Sequence, residues 1–101
     1  MDTQAMAGNA EKAEQLLKLL ANKNRLMILC RLMDSECSVT ELNEQIPLAQ
    51  SALSQHLAAL RQAKVVKTRR DAQTIYYAIS DDNAVKVIER LYEVFCKNEN
   101  N

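Results

Sequence analysis

Glycine and proline are nearly absent from this chain: its 101 residues contain one of each, Gly8 and Pro47. Helices have few places where they must break, and the content should be mainly helical. No stretch approaches the ~18 uninterrupted apolar residues of a membrane span, and the opening MDTQAMAG lacks the basic region and apolar core of a secretory leader. The expectation is a cytoplasmic protein with no membrane partner. Cysteine is sparse, and the three present, Cys30, Cys37 and Cys96, are odd in number and irregularly spaced. That excludes a disulfide-built secreted scaffold and predicts thiols in a reducing cell. Histidine occurs once, at His56, and the acids are spread as surface and capping groups. No paired carboxylates or histidine cluster is left for acid–base or metal chemistry, so neither an enzyme nor a cofactor is expected.

What is present is an ordinary globular balance, 48% hydrophobic and 26% charged, enough for one core in a single domain over residues 1–101. A monomer of that size holds little stability in reserve, which makes pairing with a copy of itself easy to rationalise. Net charge is zero, yet its distribution is uneven. Residues 1–45 carry five Lys/Arg against seven Asp/Glu and residues 71–101 three against six, whereas 46–70 hold Arg61, Lys64, Lys67, Arg69 and Arg70 with no acid. Phosphate neutralisation needs local positive charge of this kind, which makes the segment the candidate contact surface; an accidental run of cations on a solvated face is the alternative.

Ala13, Leu16, Leu17 and Leu20 recur near the helical period and predict a helix over 11–20. Asn22 or Asn24 can cap a second helix, whose Leu26, Met27, Ile28, Leu29, Cys30, Leu32 and Met33 read as a largely buried core element. The stretch DSEC ends it. Ser38 can cap the next helix, VTELNEQI, with Glu41 placed for a capping box and Val39, Leu42 and Ile46 facing inward. Pro47 then starts a turn, and a fourth helix over 50–62 follows almost at once.

Two short helices joined so tightly make a helix-turn-helix. On the second, Leu53, Leu57 and Leu60 fall within about 60° of one another at the helical period, which turns Ser51, Ser54, Gln55, Ala58 and Gln62 outward. An acid-free face of hydroxyls, amides and small side chains suits a major groove, because such groups hydrogen-bond to base edges. Gln50, Ser51, Ser54 and Gln55 are the candidate base readers, with Arg61 at the far end of the helix as a candidate DNA contact. His56 lies on the flank of the same helix, where it packs locally or touches DNA.

Val65, Val66, Thr68, Thr74, Ile75, Tyr76, Tyr77 and Ile79 favour extended structure, so 65–70 and 74–79 read as two strands with Asp71, Ala72 and Gln73 at the turn. The hairpin is a wing able to bring Lys67, Arg69 and Arg70 to the backbone or minor groove of a duplex; a plain solvent-exposed hairpin is the alternative. Ser80 can cap a last helix, with Asp81 and Asp82 in its first turn. Its Ala84, Val87, Ile88, Leu91, Val94 and Phe95, widened by Val85 and Tyr92, exceed what one side of a small monomer buries. Together with the N-terminal helix it is the expected homodimer contact, and two-fold pairing would present two reading helices to successive major grooves. The expected fold is mainly α with a small β-hairpin wing, a winged helix-turn-helix of about five helices.

Taken in order, ANKNRLMIL in the second helix, VTELNEQIPLAQSALSQHLAALRQAKVVKTRR through the reading helix into the first strand, and AQTIYYAIS through the second strand resemble the ArsR/SmtB family of winged-helix repressors. The likeness runs from the first helix to Phe95. Within the family the chain is similar to the BigR/SqrR/HlyU branch, on the ILC ending at Cys30 and the FC ending at Cys96. That resemblance implies a repressor with a reversible thiol switch. Reduced protein would hold double-stranded operator DNA; reactive sulfur species such as persulfides, or other oxidants, would link Cys30 to Cys96 by a disulfide or short polysulfide and release it. The metal-sensing branches are a poorer match. VTELNEQI has no cysteine where their thiolate cluster falls, and the single histidine lies away from the last helix.

Read from the residues alone, Cys30 in an apolar helix is more readily a small, inert buried hydrophobe than a reactive thiol. Cys30 and Cys96 stand 66 positions apart, and their pairing requires the second and last helices to pack together. Neighbouring Arg31 and Lys97 offer positive charge that assists a thiolate. Cys37, in the DSEC turn, reads as an extra, more exposed thiol. It leaves open a three-thiolate site for a soft ion such as arsenite, and so a metalloid-responsive repressor. A non-catalytic protein-interaction module on the same scaffold is the other alternative.

Overall fold

The computed structural model describes residues 1–97. Along them run α1 (Thr3–Ala7), α2 (Ala10–Leu20), α3 (Lys23–Leu32), β1 (Cys37–Ser38), α4 (Val39–Gln45), α5 (Gln50–Gln62), β2 (Val66–Asp71), β3 (Thr74–Ile79) and α6 (Asp82–Phe95). None of these helices is long and apolar enough to cross a membrane.

Local chemistry sets most of the boundaries. Asn22, not Asn24, caps α3, its side-chain oxygen accepting from the amides of Asn24 and Arg25 at 2.9 and 3.1 Å. Ser38 and Glu41 form the expected capping box at the start of α4: the Glu41 amide donates to Ser38 Oγ at 3.2 Å, and the Ser38 amide donates to Glu41 Oε1 at 2.9 Å. The Ser38 amide, donating to the ionised carboxylate, and the Ser38 hydroxyl beside it lower the Glu41 pKa. Asn43 fastens the turn around Pro47, its Nδ2 donating to the carbonyls of Ile46 and Leu48 at 3.1 and 2.8 Å. At its far end α5 closes with the Lys64 amide on the Arg61 carbonyl and the Val65 amide on the Leu60 carbonyl, both at 2.9 Å, around a left-handed Lys64 with φ of 63°.

The three strands form one antiparallel sheet in the order β1-β3-β2. Val66 pairs with Ile79 and Asp71 with Thr74 along the hairpin, while Cys37 and Ser38 pair with Tyr77 and Tyr76. Leu53, Leu57 and Leu60 of α5 are fully buried against Ile28 and Leu29 of α3, Leu42 of α4 and Ala84 of α6. This core holds α4 and α5 at the Pro47 turn with the hairpin following, which is a winged helix-turn-helix.

Four local expectations need correction. Asp81, not Ser80, caps α6, accepting from the Asn83 amide at 2.9 Å. Ser80 is drawn elsewhere, its Oγ donating to the Lys64 carbonyl at 3.0 Å and its amide to the Val65 carbonyl at 2.8 Å. Asp71 belongs to β2, so the wing turns on Ala72 and Gln73 alone, with Ala72 at φ 55°. Cys37 is fully buried instead of exposed, because DSEC runs into a two-residue edge strand laid on β3. Finally, α3 is less buried than its composition implies: Ile28, Leu29 and Leu32 are enclosed, while Met27 and Cys30 are exposed.

Candidate nucleic-acid interface and thiol groove

Burying the leucine stripe of α5 leaves Gln50, Ser51, Ser54, Gln55, Ala58 and Arg61 exposed on the opposite side. No acid interrupts that face. His56, on its flank, is half-buried and already engaged by the protein: its Nδ1 accepts from Arg25 Nε at 3.2 Å. Arg25 was not singled out from the sequence, because its partner lies 31 positions away. Local packing is therefore the part of the His56 expectation that the geometry displays.

The wing's cations divide in two. Lys67 and Arg70 are exposed, and neither makes an ion pair among the described residues. Arg69 is different. Its Nε donates to Glu36 Oε2 at 3.2 Å and its Nη2 to Glu36 Oε1; Asp71 lies 4.0 Å from Nη1, and the guanidinium sits 4.7 Å from the Tyr76 ring centroid. The guanidinium beside it holds the Glu36 carboxyl below its ordinary range, and Glu36 raises Arg69 in turn. Sequence reading missed Glu36, which lies 33 positions from Arg69 and becomes visible only once the strand register is known.

A second feature lies between α3 and α6, which pack together. Leu26, Met27 and Cys30 from one side and Ile88, Leu91, Tyr92, Phe95 and Cys96 from the other line an open apolar groove of about 310 Å³. Cys30 is exposed and Cys96 partly so. Cys30 is not a buried core residue, since its side of α3 faces this groove. Lys97 lines the adjoining depression together with Cys30, Asp34 and Glu89, whereas Arg31 turns toward Ser35, whose Oγ it approaches at 3.3 Å. The groove's Met27 and Phe95 are 53% and 65% exposed, and Leu17 of α2 is 57% exposed.

Cys37 takes no part in this groove. Its Sγ donates to the Ser35 carbonyl at 3.6 Å, and burial pushes its thiol pKa up, against the opposing pull of Arg31. Two cysteines line the groove rather than three, and no group of three His, Cys, Asp or Glu among the described residues is placed to hold a metal ion.

With this geometry in view, similarity to known proteins decides the family. Residues 22–68, from the α3 cap into β2, match the family described as bacterial regulatory protein, arsR family. The transcriptional activator HlyU of Vibrio cholerae is 48% identical over 97 residues, 96% of this chain and 90% of that protein. The chain belongs to the arsR family. A second relative, the biofilm growth-associated repressor of Agrobacterium fabrum, is 44% identical over 96% of this chain and 83% of its own length. The solved structure of the transcriptional repressor BigR from Xylella fastidiosa superposes with a TM-score of 0.90 at 38% identity, covering 95% of this chain and 98% of that one. These arsR-family relatives are transcriptional regulators and not enzymes, and the chain shares their winged-helix architecture along nearly its whole length.

Proposed function

We propose that this arsR-family regulator is a homodimeric repressor that holds duplex operator DNA while reduced and releases it when Cys30 and Cys96 become bridged. The observation that carries the reading is the shared apolar groove, which exposes Cys30 and part of Cys96 where α3 packs on α6. A persulfide donor supplies the oxidation in balanced steps. Attack of the Cys30 thiolate on the terminal sulfur of RSSH gives Cys30–S–SH and RSH. Attack of Cys96 on the Cys30 sulfur then gives the disulfide and hydrogen sulfide. A second equivalent of RSSH inserts one more sulfur and yields a trisulfide. A bridge closing so long a loop constrains the unfolded chain by about 4 kcal/mol, comparable to the energies that separate two regulatory states.

DNA binding and dimerisation reside in one domain. Gln50, Ser51, Ser54 and Gln55 read bases, with His56 at their edge, while Arg61, Lys67 and Arg70 meet phosphates. The exposed Leu17, Tyr92, Val94 and Phe95 on α2 and α6 support self-association through these helices. A bridge across the α3–α6 groove acts next to that surface. It alters the spacing of two reading helices without large motion within either protomer. Relatives carry both activator and repressor in their names; repression relieved by oxidation is the sense proposed.

The test is a duplex titration of reduced and persulfide-treated protein, with intact mass measured on the treated sample. Treated protein should lose operator affinity and show loss of two hydrogens, with added sulfur if the bridge is longer. Cys30→Ser and Cys96→Ser should bind as reduced protein does and ignore persulfide. Normal release by both variants would overturn the thiol switch.

A further inference from the structure

We propose that Glu36 and Arg69 form a staple that sets the angle of the wing against the helix-turn-helix, so that Arg69 is a positioning residue and the wing's phosphate contacts fall to Arg70 and Lys67. This rests on the duplex-binding reading above and divides the wing's three cations by role.

The sheet register is the first observation. Arg69 on β2 lies opposite Tyr76 on β3, and Tyr76 lies opposite Ser38 on β1. Directly paired residues share a face, and so do residues two apart on a strand. Glu36, two positions before Ser38 and just outside β1, meets Arg69 one step along that edge. Arg69 reaches over the Tyr76 ring to meet Glu36 at the far edge, crossing the whole sheet.

The second observation is how completely the guanidinium is used. Both oxygens of the Glu36 carboxylate are engaged by two of its nitrogens, and the third nitrogen faces Asp71 at 4.0 Å. A phosphate bound by the same fork would have to displace Glu36, since both demand the same two parallel donors. Taken together Glu36, Arg69 and Asp71 bring one negative charge in excess, so this cluster offers a duplex no attraction. Arg70 has its side chain on the other face of β2, opposite Ile75, and neither it nor Lys67 has a carboxylate partner among the described residues.

The third is where the staple ends. Ser38 is both the last residue of β1 and the cap of α4, so Glu36 stands just before the first helix of the helix-turn-helix. Holding Arg69 to Glu36 fixes the outer strand of the wing to the entry of that unit. With the staple released, hairpin pairing remains but the wing ranges over more angles relative to α5; Lys67 and Arg70 still reach the backbone, and binding weakens by the cost of re-ordering the wing.

The experiment measures duplex affinity against salt for the full chain and for Arg69→Gln, Arg69→Lys, Glu36→Gln, the Glu36→Gln/Arg69→Gln double variant and Arg70→Gln. Loss of one phosphate contact lowers the slope of log K against log salt by about 0.9, and Arg70→Gln should do so. Arg69→Gln and Glu36→Gln should each weaken operator binding about fivefold with the slope retained, and the double variant should be no weaker than either. Arg69→Lys decides between roles: it keeps the charge but not the fork, so it should behave as Arg69→Gln. A lowered slope in Arg69→Gln with near-normal binding by Arg69→Lys would overturn the staple, as would tighter duplex binding by Glu36→Gln. Amide exchange in the DNA-free protein gives an independent readout. Tyr76 and its neighbours on β3 should exchange faster in Glu36→Gln and Arg69→Gln while Leu57 is unchanged, and unaltered exchange on β3 would reject the proposal. If the full chain shows no salt-dependent duplex binding, the functional reading fails, yet the exchange measurement still decides the staple.

Discussion

Arg25 Nε donates to His56 Nδ1 over 3.2 Å, and Nη1 of the same guanidinium donates to the Leu19 carbonyl at 3.1 Å. One side chain of α3 thus joins the last turn of α2 to the middle of α5. As an acceptor, Nδ1 is the bare nitrogen, so the tautomer in this contact carries its proton on Nε2. A hydrogen bond from a charged donor contributes about 1.5–3 kcal/mol, and partial exposure places this one near the lower end. His56→Ala is expected to lower unfolding free energy by about 1.5 kcal/mol in urea titration. Once His56 is gone, Arg25→Gln should cost less than it does in the parent, and strict additivity of the two losses would deny that the pair is coupled.

Cys37 should be the slow thiol. Burial disfavours its thiolate, and the carboxylates of Glu41, Asp34 and Glu36 add to that while Arg31 opposes it. Near neutral pH iodoacetamide should alkylate Cys30 at least about tenfold faster than Cys37, as read by peptide mass spectrometry over time. The same shift has a sign for stability. The folded state favours the neutral thiol, so the contribution is fully present below the thiol pKa of the unfolded chain and is lost as pH rises through the folded value. Cys37→Ser should therefore flatten the alkaline side of the stability profile. Equal labelling of Cys30 and Cys37 in protein that remains folded would contradict this burial.

Lys64 occupies the residue after the α5 cap with φ of 63°, a left-handed position that glycine adopts without steric cost. Lys64→Gly is expected to stabilise the fold by about 1 kcal/mol, which for a chain of this length raises Tm by roughly 4–8 °C. Lys64→Ala is the control: it removes the same charge and keeps the strain, so it should gain almost nothing. Equal gains from both would place the effect in the charge.

How legible these features were depended on sequence separation. The Ser38–Glu41 capping box, the Asn22 cap and the Leu53/Leu57/Leu60 stripe rest on residues within one or two helical turns, so a linear reading recovers them along with the helix-turn-helix and wing. β1 was missed because two residues carry no periodicity, and with it went the burial of Cys37. Ser80 was assigned to the wrong partner because a serine before two aspartates satisfies capping rules as well as Asp81 does; only the Lys64 carbonyl decides between them. Glu36–Arg69 and Arg25–His56 span 33 and 31 positions, and no local rule reaches that far. The basic run was visible as charge, but that one of its members is already neutralised was not.

On the outer face of α5, the side chains of Ser54 and Gln55 are exposed and make no hydrogen bond among the described residues, so their donors and acceptors are open to a ligand. A carboxamide meeting one adenine edge makes two bonds and discriminates by about 1–3 kcal/mol, whereas a phosphate contact carries no base information. Gln55→Ala should therefore reduce the ratio of operator to random-duplex affinity by about tenfold or more, while its salt slope stays at the parent value. Ser54→Ala, which removes a single hydroxyl, should produce a smaller change of the same kind. The measurement is competition titration at fixed salt, using a duplex selected from a random library with the reduced protein. If Gln55→Ala weakens selected and random duplexes by the same factor, the residue holds the backbone, and base reading must be sought at Gln50 and Ser51, nearer the start of the helix.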